Sequence, residues 1–354
     1  MPSLFDPVKI GALTLANRIV MAPLTRMRAY EGRVPGALQA EHYAARATAG
    51  LILTEATSVT PMGVGYPNTP GLWSAEQVAG WKTVTKAVHE AGGLICAQLW
   101  HVGRVSHSSY LDGKLPVAPS AIAIRGQVSV LRPKTDYEVP RALETEEIPG
   151  IVQDFVKGAQ NAKEAGFDCV EVHAANGYLF DQFLHEGSNK RTDRYGGSIE
   201  NRARFLLETV DALLGVWPAD RVGVHLNLMS SSHDVADSDP RALFTYVAEQ
   251  LNARGIAFIF AREDVSAGKG RIGTDVRRVF KGAYIANENL TQEVAERLVA
   301  DGEADAVSFG RLFIANPDLV ERFREHAPLN PLVAETIYAA GATGYNDYPV
   351  LARV

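Results

Sequence analysis

The chain has 354 residues, 46% hydrophobic and 21% charged, with a formal net charge of −6. Such a balance describes an ordinary globular protein with ample core, and without a Lys/Arg block it argues against a nucleic-acid partner. No apolar run is long enough to span a bilayer, and residues 1–6 lack the charged and apolar regions of a signal peptide, so no membrane partner and a cytoplasmic location are expected.

In chain order, residues 8–15 read as a hairpin around Gly11. Eight strand-like runs follow, at 19–22, 51–55, 94–99, 168–172, 222–226, 257–260, 283–286 and 306–309. Helical periodicity lies between most of them, at 38–48, 75–91, 149–165, 199–214, 241–254 and 291–300, and again after the last strand at 317–326. The sixth strand is followed only by a short helix, 274–280. Start and stop signals agree: Thr145 reads as a cap followed by Glu146 and Glu147, Pro240 sits at a helix start, and Gly92, Gly166 and Gly255 end helices.

Eight strand–helix units predict an α/β chain folded as a (β/α)8 TIM barrel, in one domain over 1–354. The competing doubly wound sheet lacks a G-x-G-x-x-G after its first strand. One segment breaks the rhythm. Residues 101–141, after the third strand, carry Pro116, Pro119, Pro133 and Pro140 without a helical period, and read as a lid or added hairpin over the catalytic face.

Barrel active sites gather at the C-terminal ends of the strands. Those ends offer Pro23, Leu24 and Thr25; Glu55 and Ala56; Gln98 and Trp100; His173, Asn176 and Tyr178; His225; Arg262 and Glu263; Asn287 and Glu288; Gly310 and Arg311. The fourth end is the richest. His173 and Asn176 can both donate to one oxygen and polarise a carbonyl, and Tyr178 can protonate the enolate formed when a hydride arrives. Gly310-Arg311 suits a phosphate, because glycine lets backbone N–H groups approach and arginine offers a fork. No lysine stands at a strand end to form a Schiff base, and no opposed carboxylate pair suggests glycoside hydrolysis. Cys96 and Cys169 read as buried thiols, and no metal site is expected.

At these residues the chain resembles the Old Yellow Enzyme family of FMN-dependent ene-reductases. The likeness runs almost end to end. It is carried by 17–26 (NRIVMAPLTR), 97–104 (AQLWHVGR), 173–178 (HAANGY), 189–202 (NKRTDRYGGSIENR), 309–319 (FGRLFIANPDL) and 344–349 (GYNDYP). The resemblance implies two half-reactions: NADPH or NADH reduces FMN, and the flavin then passes hydride to the β-carbon of an enone, enal or nitroalkene. It implies flavin contacts from Pro23, Leu24, Thr25, Ala56, Gln98, His225, Asn287, Gly310 and Arg311. His173 and Asn176 would hold the substrate oxygen, Tyr178 would protonate the α-carbon, and Tyr66, Trp100 and Tyr345 would line the substrate space.

Three positions depart from the family pattern. His225 stands where an arginine usually faces the flavin pyrimidine, and is expected to take over that contact and make flavin reduction pH-dependent. The seventh-strand loop is Asn287-Glu288-Asn289 rather than glycine-rich, which sets an acid near the phosphate. Thr25 stands where one branch carries cysteine. The alternative reading is a flavin-binding sensor with weak turnover.

Overall fold

A computed structural model describes residues 1–229, 231–265 and 270–352. Eight parallel strands close into a barrel: β3 (Ile19–Met21), β4 (Leu51–Leu53), β6 (Ile95–Trp100), β9 (Cys169–Ala174), β10 (Val222–Asn227), β11 (Phe258–Arg262), β12 (Ala283–Asn287) and β13 (Ala306–Phe309). The closing contacts are β13 on β3 and β4 on β6. Around them run α1 (Ala37–Ala44), α2 (Ala75–Glu90), α3 (Ile148–Glu164), α4 (Leu179–Leu184), α5 (Ile199–Leu214), α6 (Pro240–Ala253), α7 (Gly273–Val279), α8 (Gln292–Ala300), α9 (Arg311–Ala315) and α10 (Leu319–Arg324).

Strand parity divides the core. On β9, Val170, Val172 and Ala174 join the layer between strands and helices, whereas Cys169 joins the barrel interior. The same alternation sets Ile259 and Ala261 outward and Phe258 and Phe260 inward on β11. The hairpin β1 (Val8–Ile10) and β2 (Leu13–Leu15) plugs the bottom, with Ile10, Leu13 and Leu15 packed on Val20, Leu51 and Phe258. Cys96 and Cys169 lie paired in register within this apolar layer, both buried and free. The Phe258 ring fills space that a side chain on Gly223 would need, since a Cβ there would stand 2.2 Å from the ring.

Local signals explain most helix boundaries. Ser74 accepts from the Gln77 N–H at 3.3 Å to start α2, and Asp239 accepts from the Ala242 N–H at 2.9 Å to start α6 ahead of Pro240. Thr145 does not serve as the expected cap. Its hydroxyl donates to Asp193 instead, and Glu147 takes the Glu144 N–H at 2.7 Å, so a short 3-10 turn leads into α3. Short elements escaped the periodicity: α4, α9 and the two-residue β5 (Thr57–Ser58).

The segment after β6 brings Ile124 and Tyr137 into one apolar cluster with Trp100 and Tyr178. It contributes β7 (Val117–Ala118), which pairs in parallel with β8 (Arg141–Ala142), and a bridge between Gln127 and Asp136. Arg104 ties it down by donating to the carbonyls of Ile122 and His233 at 2.9 Å each.

Candidate active site

The inward parity that is apolar at the barrel floor turns polar two steps higher. Cys96 gives way to Gln98 and Trp100, Cys169 to Glu171 and His173, and Phe260 to Arg262. In register, His173 lies beside His225, His225 beside Phe260, and Asn227 beside Arg262. After β9 the chain turns sharply at Asn176 and Gly177, with φ of 58° and 75°. Gly177 is required there, because a Cβ would stand 2.4 Å from the Ser232 carbonyl oxygen. The Gly177 N–H donates to Asp181 at 2.7 Å, and the His233 ring donates from Nδ1 to the Asn176 carbonyl at 2.7 Å.

This turn projects Tyr178 into an aromatic corner. Its hydroxyl lies 3.0 Å from that of Tyr66. Its ring stands edge-on to Trp100 and to His173, with centroids 5.0 Å away in both cases. Tyr66 stacks on Trp100 at 5.6 Å. Burial raises the Tyr178 phenol above its ordinary value, and the Tyr66 hydroxyl opposes that rise by hydrogen bonding. The phenol is therefore protonated at neutral pH, with the Tyr66 hydroxyl within hydrogen-bond reach of its oxygen.

His173 and His225 are stacked, with ring centroids 4.9 Å apart. Burial, followed by the nearby Arg262 charge, holds His173 down to about 3. Burial, His173 and Arg262 likewise hold His225 well below the ordinary imidazole range. Both rings are thus neutral at physiological pH, so neither imidazole itself carries the pH dependence expected of His225. Gln98 donates from Nε2 to Glu171 at 2.7 Å and lies 3.1 Å from His225 Nδ1. An amide nitrogen only donates, so His225 Nδ1 accepts and Nε2 carries the proton. That Nε2 and His173 Nδ1 are buried with no partner among the described residues.

Above this layer the side chain of Arg262 reaches Asn176 Oδ1, at 2.7 Å from Nη1. Its other edge grips Glu288, through Nε and through Nη2 at 3.0 Å. A cavity of about 820 Å3 opens alongside, lined by Pro23, Leu24, His225, Arg262, Gly310 and Arg311 among others. Its size falls in the range of cofactor sites. Arg311 is exposed and its side chain makes no hydrogen bond or ion pair among the described residues, so its fork is available to an anion.

A parallel barrel with neutral donors and a protonated phenol beside a large cleft suits cofactor-dependent redox chemistry better than hydrolysis. The profile of the NADH:flavin oxidoreductase / NADH oxidase family matches residues 3–330. 12-Oxophytodienoate reductase 1 of Oryza sativa subsp. japonica is 43% identical over 362 residues, covering 99% of this chain and 94% of that protein. Among solved structures, the old yellow enzyme homologue of Zymomonas mobilis superposes with a TM-score of 0.96 at 45% identity, covering 99% of this chain and all of that one. Morphinone reductase in complex with tetrahydroNAD gives 0.96 at 49% identity, covering 99% and 98%. The chain belongs to the Old Yellow Enzyme family: it is an FMN- and NAD(P)H-dependent oxidoreductase acting on alkenes.

The site fits FMN on its own terms. His225, whose Nε2–H is unpartnered among the described residues, lines the cleft, and His173, with its own unpartnered ring nitrogen, stacks on it. Arg311 lines the same cleft beside Gly310, where an added Cβ would approach Leu24 to 3.1 Å. The acid that sequence set near the phosphate is neutralised, since Glu288 is held by Arg262.

The structure brings most of the predicted residues together. Pro23, Leu24, Asn176, His225, Asn287, Gly310 and Arg311 line the cleft, and Asn287 donates to the Ser308 carbonyl at 3.2 Å. Gln98 and His173 lie in the layer with His225, and Ala56 packs with Trp100, Tyr66 and Tyr178. Thr25 is half-buried in the loop after β3. Tyr345 does not join the other aromatics. It is fully buried, stacked on His42 at 3.8 Å, with the guanidinium groups of Arg26 and Arg28 5.0 and 4.7 Å from its ring. Those two arginines hold the C-terminal segment through its carbonyls, Arg26 to Gly344 and Arg28 to Ile337, both at 2.6 Å, and this sets Tyr345 against His42. Sequence reasoning assigned no role to Arg262, Glu171 or His233. For Arg262, the signal was a lone cation at an inward-facing strand end.

Proposed function

We propose that this single FMN-binding barrel domain is an ene-reductase for α,β-unsaturated carbonyl and nitro compounds, with Tyr178 protonating the α-carbon. The observation that carries this is the juxtaposition of a protonated phenol with two neutral donors at one strand end. When bound, FMN supplies hydride transfer between NAD(P)H and the alkene. Pro23, Leu24, Thr25, Ala56, Gln98, His225 and Asn287 would hold its ring and chain, and Gly310 and Arg311 its phosphate.

The chain's own groups do the rest. His173 and the Asn176 amide donate to the substrate oxygen and stabilise the negative charge that develops there, an effect typically worth about 3 kcal/mol per donor. Tyr178 gives its proton to the α-carbon while Tyr66 donates to the departing phenolate oxygen. Trp100 and Tyr66 shape an apolar corner that excludes water. The relatives named for 12-oxophytodienoate and morphinone, both ketones by name, support a carbonyl-bearing substrate.

The test is an anaerobic two-stage reaction of wild type and His173→Ala. NADPH is expected to bleach the flavin in both, and cyclohexenone to restore the colour roughly 100-fold more slowly in the variant. Equal recolouring rates would remove His173 from the oxygen-binding role.

A further inference from the structure

The Arg262–Glu288 pair occupies the mouth of the barrel and has no part in the chemistry described so far. Arg262 ends β11, level with Asn227 on β10 and Asn287 on β12, one inward step above the His225–Phe260 layer. Its guanidinium spans three strand ends: Asn176 after β9, its own β11, and Glu288 after β12. Both partners are half-buried, with side chains 32% and 20% exposed. Glu288 has a φ of 110°, a conformation that side chains rarely adopt, so a non-glycine residue stands there at a backbone cost.

We propose that Arg262, clamped by Glu288, is the cation facing the ring of the bound flavin and the positioning residue for Asn176. The inference rests on the reading of His173, Asn176 and Tyr178 as the substrate face. Two arguments support it. A guanidinium only donates, so Asn176 must turn its oxygen toward Arg262 and its NH2 away, whichever way the amide is first assigned. Asn176 is thereby fixed as a donor, the role that binding a substrate oxygen demands.

The second argument is charge. The flavin ring gains negative charge on reduction, while His173, His225, Gln98 and Tyr178 are neutral and the proposed function assigns Arg311 to the phosphate. Arg262 is the guanidinium near the two imidazoles, close enough to oppose their protonation. A permanent cation favours a reduced ring more than a neutral imidazole does. Glu288 then sets how much of that charge the ring feels, because it faces the guanidinium edge opposite Asn176.

The experiment compares Arg262→Gln and Glu288→Gln in FMN-reconstituted protein. Fluorescence titration gives the dissociation constant of oxidised FMN, and the midpoint potential converts it to that of reduced FMN. In Arg262→Gln the preference for reduced over oxidised FMN is expected to fall about tenfold or more, and in Glu288→Gln to rise severalfold, the order expected for one partly screened charge. Cyclohexenone binding to the oxidised enzyme, read by flavin difference spectra, is expected to weaken in Arg262→Gln. An unchanged redox preference in both variants would overturn the proposal and leave the pair as a strut between strand ends. If Arg262→Gln does not fold, the sign of the Glu288→Gln shift decides alone, and a zero or downward shift overturns the proposal. A wild type that binds FMN but is not recoloured by cyclohexenone would instead break the underlying ene-reductase reading.

Discussion

Glu171 carries a load that its neighbours do not relieve. It faces the barrel interior with no exposed surface, accepts one hydrogen bond from Gln98, and has a second oxygen, Oε1, with no partner among the described residues. Burial pushes its carboxyl from 4.5 up to about 8, against the opposing Gln98 bond. In the unfolded chain the group ionises near 4.5, whereas in the folded chain it keeps its proton to about 8. Between those values the native state binds the extra proton, so stability is full below the lower value and is lost as pH rises toward the upper one. A shift of that size corresponds to roughly 5 kcal/mol across the window. Glu171→Gln removes the titration but retains the oxygen that accepts from Gln98. Its new NH2 is left unpaired at a pH-independent cost of about 1–3 kcal/mol. Urea midpoints of the two FMN-saturated proteins, measured from pH 5 to 8.5, should therefore converge and cross, with the variant the more stable at alkaline pH. Parallel midpoint curves would show that Glu171 is ionised in the folded barrel and refute the reasoning.

Two further outcomes follow from the site. Arg311→Ala is expected to weaken FMN by about tenfold or more while leaving riboflavin binding nearly unchanged, because only the phosphate contact is lost; fluorescence titration of both flavins checks this. Tyr66→Phe removes the donor to the nascent Tyr178 phenolate, a hydrogen bond to a charged group worth about 1.5–3 kcal/mol, so recolouring by cyclohexenone should slow by roughly 10- to 100-fold with flavin reduction unaltered.

Much of the fold was legible because barrel strands and helices carry different periods. The helix at 199–214 was read to the residue, and all eight barrel strands lie within a residue or two of their expected limits. Short elements were not: α4 has six residues and α9 five, too few for a helical period to register. Thr145 failed as a cap because a partner 48 positions away, Asp193, competes for its hydroxyl. Within the site, the residues clustered near the end of one strand were readable from local order. Arg262 was not, since its partners Glu288 and Asn176 lie 26 and 86 positions away and meet only when the barrel closes. The packing of Tyr345 was hidden for the same reason, being set by Arg26 and Arg28 more than 300 positions earlier.

The central claim is that Tyr178 delivers the proton. Anaerobic stopped-flow of Tyr178→Phe, with NADPH and then cyclohexenone, tests it most directly. The account predicts wild-type bleaching followed by recolouring slowed by roughly 100-fold or more, the usual scale for removing a positioned acid. Wild-type recolouring in the variant would contradict it and assign the proton to water or to another group.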